Sequence, residues 1–67
     1  MTAKIKQHMR NLLRDGECID RDTGLADCTR LAETTAHDLG HHEWLDDECH
    51  EVWDIAVDTS NEMGFGE

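Results

Sequence analysis

The residue types best suited to chemistry crowd into one stretch, His37-Asp38-Leu39-Gly40-His41-His42-Glu43-Trp44-Leu45-Asp46-Asp47-Glu48-Cys49-His50. Imidazole nitrogen and thiolate sulfur are donors that Zn²⁺ and other borderline metals accept, so His37, His41, His42, Cys49 and His50 are the candidate metal ligands. Their spacing argues against a closed site. His37 and His41 stand at the separation of a His-x₃₋₅-His half-site, and Gly40, a natural helix stop, falls between them. Cys49 and His50 belong to a different element from His37. The expectation is solvated histidines around a helix–loop–helix corner and no cofactor. A zinc-type metal-binding protein using residues 37–50 is the alternative function.

Within this stretch, His37-Asp38 is similar to the His-Asp dyad of the HD family of metal-dependent phosphohydrolases. His37-Asp38-Leu39-Gly40-His41 also resembles the zincin motif His-Glu-x-x-His, with Asp in place of Glu. The HD resemblance implies an upstream histidine ligand, for which His8 is the nominee, and a later aspartate, Asp54 or Asp58. That family's domain is considerably longer than this chain, and Glu33-Thr34-Thr35-Ala36 stands where an apolar run usually precedes its dyad. The zincin resemblance loses the reach of the glutamate and, at Gly40, the helix. Asp20-Arg21-Asp22-Thr23-Gly24 resembles the start of an EF-hand calcium loop, but its glycine comes one residue early and Leu31 stands at the final ligand position. Turn and capping chemistry accounts for those residues. No glycine-rich phosphate loop, nucleophilic serine context or stacking aromatic series is present. The chain reads as a non-enzyme.

The elements that must position these residues are helices. Proline is absent and apolar side chains recur at three and four. A first helix is predicted over residues 2–14, with Thr2 as N-cap and Asp15-Gly16 as the stop. Ile5, Met9, Leu12 and Leu13 make its apolar stripe, and Lys6, Arg10 and Arg14 a basic stripe beside it. Such a face docks on something acidic, and the simplest candidate is the rest of the same chain. A second helix is predicted over residues 24–39, capped by Asp22 or Thr23 and stopped by Gly40. Leu25, Cys28, Ala32, Ala36 and Leu39 would share its buried face, with Leu31 off that stripe toward another neighbour. A third is predicted over residues 46–63, starting near Asp46 or Asp47, with Asp47 and Glu48 complementing the helix dipole. Leu45, Cys49, Val52, Ala56, Thr59 and Met63 recur along it, flanked by Trp53, Ile55 and Val57. Glu51, Asp54, Asp58 and Glu62 stand opposite. That arc is wider than one helix pair covers. The expectation is an all-α, three-helix domain over residues 1–67, homodimeric through Trp53 and Val57, with residues 64–67 frayed.

Every lysine and arginine lies at or before Arg30, residues 31–67 carry eleven carboxylates, and the net charge is −10. Such a chain repels the nucleic-acid backbone and anionic membranes and attracts basic proteins. Acidity that only keeps a protein soluble in a salt-rich cytoplasm is the plain alternative. No run approaches the roughly eighteen apolar residues of a spanning helix, and none after the N-terminal lysines suits a signal peptide. Cys18, Cys28 and Cys49 cannot all pair within one chain, so reduced thiols and a cytoplasmic setting are expected. The functional expectation is an acidic helical protein-interaction module with a basic protein partner. Trp53, Val57, Lys6, Arg10 and Arg14 are its candidate contact residues.

Overall fold

A computed structural model describes residues 2–45 and 51–66 of the chain. Its elements are α1 (Thr2–Arg14), α2 (Cys28–Asp38), a short 3-10 turn (His42–Leu45) and α3 (Glu51–Glu62), and among the described residues there is no strand. No helix among them is long and apolar enough to cross a membrane.

The first helix follows its stripe. Ile5, Met9, Leu12 and Leu13 are all buried, one to two turns apart on one side of α1. Thr2 is the first helical residue, not the cap expected for it. At the far end Gly16 takes φ +80°, a conformation that costs glycine little. Gly16 N–H then reaches Leu13 O at 3.1 Å and Glu17 N–H reaches Leu12 O at 3.0 Å, which satisfies two orphan carbonyls. The other two helices end in the same crossed pair of bonds, around Gly40 and Gly64.

The second helix begins four residues later than its periodicity predicts. Asp27, with φ −85° and ψ 97°, is the N-cap, and its carboxylate accepts the Arg30 N–H at 3.1 Å. Asp22 and Thr23, the expected caps, sit in a tight turn instead. Asp20 Oδ1 accepts the Asp22 N–H at 2.9 Å and Thr23 Oγ1 accepts the Leu25 N–H at 3.2 Å. That turn folds the connector back on itself, with an isolated antiparallel bridge between Ile19 and Ala26. Leu25 is therefore outside the helix, and the buried face of α2 is Leu31, Ala32, Thr35 and Ala36.

The third helix buries Val52, Ile55, Ala56, Thr59 and Ser60. The two hydroxyls are satisfied within the helix, Thr59 donating to Ile55 O and Ser60 to Ala56 O, each at 2.7 Å. The predicted start at Asp46 or Asp47, and the inward placing of Cys49, lie outside the described residues. Residues 64–66 are held, contrary to expectation. Phe65 N–H bonds Ser60 O at 2.8 Å, and Phe65 O accepts the Ala26 N–H at 3.0 Å. The tail thus ties α3 to the connector that leads into α2. One core, from Ile5, Met9, Leu13, Leu31, Val52 and Ala56 among others, lies between the three helices.

Candidate functional site

The basic stripe of α1 faces the acidic side of α3. Lys6 Nζ donates to Asp58 Oδ2 at 2.7 Å and to Glu62 Oε1 at 2.8 Å, and Arg10 donates to Glu62 Oε2 at 3.2 Å. The bonds to Asp58 and then Glu62 raise the Lys6 pKa above the ordinary lysine value. The bond from Lys6, followed by that from Arg10, holds Glu62 below the ordinary carboxylate value. Arg14, the third residue of the stripe, is exposed. Two of the three basic contact candidates are thus engaged inside the molecule.

Among the described residues the histidines gather into no group of three. His41 Nδ1 donates to Glu43 Oε1 at 2.7 Å, and its ring stacks on Trp44 with centroids 4.2 Å apart. That hydrogen bond lowers the Glu43 pKa. His37 and His42 are exposed, with ring centroids 5.5 Å apart and tilted at 59°. His8 Nε2 lies 2.9 Å from Asp38 Oδ2, so the upstream histidine nominated for an HD-type site meets the aspartate of the dyad. Asp58, however, is bound to Lys6. Among the described residues, no three His, Cys, Asp or Glu side chains are grouped to hold a metal. Cys49 and His50 lie outside those residues.

The apolar surface is elsewhere. Trp53 is 46% exposed and Leu45 41%, the two large hydrophobic side chains most open to solvent among the described residues. Trp53 and Val57, one turn apart on α3, flank a groove of about 540 Å³ that is also lined by Leu25, Ala26, Cys28 and Phe65. The turn at residues 20–27 delivers Leu25 and Ala26 to it, and the tail delivers Phe65. Cys28, the first residue of α2, is half buried there, with its sulfur 3.8 Å from Ser60 Oγ. Asp27, Ser60 and Asn61 also line the groove.

Periodicity picked out Trp53 and Val57, and missed the rest of this groove. Leu25 and Cys28 read as a helix face, and Phe65 as part of a frayed tail. One signal for Phe65 was available: Gly64 followed by an apolar residue is the pattern in which a helix end closes on its own last turn. Nothing local marked the Leu25–Phe65 side of the groove, because it depends on the Ala26–Phe65 bond between distant segments. No family model, curated protein or solved structure matches the chain.

Proposed function

We propose that this chain is a non-catalytic protein-interaction module that docks a basic partner protein through the Trp53–Val57 side of α3. The observation that carries the reading is Trp53 itself, 46% exposed beside an apolar groove in a chain with few large hydrophobes. Tryptophan is among the residue types most enriched in the few that dominate binding energy, and it acts by being buried near the centre of the interface. The acidic surface adds attraction at longer range and sets the sign of the partner. Cys18 and Cys28, free thiols among the described residues, fit the cytoplasm as the working compartment.

Homodimerisation through Trp53 and Val57 is a second reading, favoured by the exposure of Trp53. A metal-binding role rests on the proximity of the His37 and His42 rings and would need Cys49 or His50 to complete it. Capture from the native host with the wild-type chain and Trp53→Glu tests the main reading. A basic protein retained by the wild type and released by the variant supports it. Sedimentation at micromolar concentration runs beside it, and a dimer that Trp53→Glu dissociates supports the second reading. A clean monomer that retains no protein overturns both.

A further inference from the structure

We infer that the groove between the start of α2, the outer side of α3 and the tail at residues 64–66 seats a basic amphipathic helix of a partner protein. The inference rests on the interaction role proposed above and specifies its occupant. The groove takes apolar side chains, since Leu25, Ala26, Val57 and Phe65 line it and Trp53 forms one wall. Several of its polar groups are already engaged. Ala26 N–H bonds Phe65 O at 3.0 Å, Leu25 O accepts the Asp20 N–H at 2.9 Å, and Ser60 donates to Ala56 O at 2.7 Å. An extended peptide binds by adding main-chain hydrogen bonds to an open edge, and these groups offer it none. A helix arrives with its backbone bonds made and needs only apolar contacts at one-turn spacing.

Shape and charge narrow the occupant further. The groove is only partly enclosed. A small-molecule site encloses most of its ligand, whereas an open trough suits a segment with a solvated back. Asp27 lines the groove, and Asp54 follows Trp53 on the exposed side of α3. Arg21 and Arg30 lie with Asp27 in a separate neighbouring hollow. A second copy of this chain answers that charge badly. It carries a net charge of −10, and its Lys6 and Arg10 are already spent on Asp58 and Glu62. A helix with Leu or Phe along one face and Lys or Arg flanking it answers both the apolar floor and the acidic side chains.

The test is an NMR titration of the whole chain with a synthetic amphipathic Leu/Lys helix. Two control peptides accompany it: the same pattern with Glu for Lys, and the Leu/Lys sequence interrupted by proline. The two tryptophan indole signals report separately, because Trp53 lines the groove and Trp44 stacks on His41. The expected result is that the Leu/Lys helix shifts Trp53 and Val57, leaves Trp44 in place, and outbinds both controls. Affinity should fall at least about ten-fold in Trp53→Ala, whose exposed site leaves the fold intact. It should also fall in Asp27→Asn with Asp54→Asn, where asparagine still caps α2. Equal binding by Trp53→Ala, equal binding of the proline-interrupted peptide, or shifts spread along the acidic surface would each overturn the inference. If Trp53 responds to the chain's own concentration and not to peptide, the occupant is a second copy; the interaction reading then stands and this inference falls. A Trp53 signal silent to both overturns both.

Discussion

Thr35 is fully buried in α2, and its hydroxyl has no hydrogen-bond partner among the described residues. Thr59 and Ser60, equally buried, return theirs to α3 carbonyls. An orphaned buried hydroxyl costs about 1–3 kcal/mol, and Thr35→Val replaces it with a methyl of the same shape. Thermal unfolding should show Thr35→Val melting several degrees higher than the wild type, and a lower melting point would mean the hydroxyl is satisfied. The Lys6–Glu62 pair makes a pH prediction. Glu62 has a lowered folded pKa, so its contribution is present above the ordinary glutamate value and fades as pH falls through the folded one. Lys6 has a raised pKa, so its contribution holds up to the ordinary lysine value and fades above it. The difference in melting temperature between wild type and Lys6→Gln should therefore be a plateau at neutral pH that narrows at both acid and alkaline ends. A difference that does not vary with pH would separate the pair from stability. At the histidines, dialysed protein should retain no stoichiometric zinc, and chelator should leave its melting temperature unchanged. One zinc per chain, lost in His41→Ala with Cys49→Ala, would establish the metal-binding alternative.

At the scale of elements, the cap of α2 decides most. Asp27→Ala removes the acceptor of the Arg30 N–H and should destabilise the fold by about 1 kcal/mol, while Asp27→Asn should cost only tenths. Thr23→Ala should match the wild type in helix content by circular dichroism, because the hydrogen bond its hydroxyl accepts, from Leu25 N–H, lies within the turn. α1 was legible almost to the residue: its stripe, its stop at Gly16 and the pairing of its bases with acids on the same chain all follow from spacing and charge. The start of α2 was not. Asp22, Thr23 and Asp27 are all good capping types, and only the antiparallel return of Ile19 onto Ala26 leaves the cap to the last of them. The candidate site divides the same way. Trp53 and Val57 were visible as excess apolar surface on one helix, whereas the wall they face is assembled from a connector and a tail whose sequences carry no period.

For the whole molecule, the eleven carboxylates in residues 31–67 set the response to salt. Lys6 and Arg10 relieve two of them, Asp58 and Glu62, and the remainder repel one another over a screening length of ~10 Å at 0.1 M. Raising potassium chloride from low concentration should leave the melting temperature unchanged or raise it, and a steady fall would mean that attractive pairs outweigh repulsion. Duplex DNA should not bind at physiological salt. Steeply salt-dependent binding abolished by Arg10→Ala with Arg14→Ala would reverse that expectation.

The pairing of α1 with α3 also bears on how quickly the chain gains and loses its structure. Lys6 and Asp58 are 52 positions apart, and α2 lies between the helices they join. The α1–α3 contact closes the widest sequence separation in the fold, so its ion pairs are expected to form late in assembly. Interactions made after the rate-limiting barrier do not hasten folding; they slow escape from the native state. In stopped-flow kinetics Lys6→Gln should leave the refolding limb where it is and lift the unfolding limb. A slowed refolding limb would instead put the first and last helices together in the nucleus. On the expected outcome, the first and last helices act as a clasp, and the lifetime of the folded state is set where they meet.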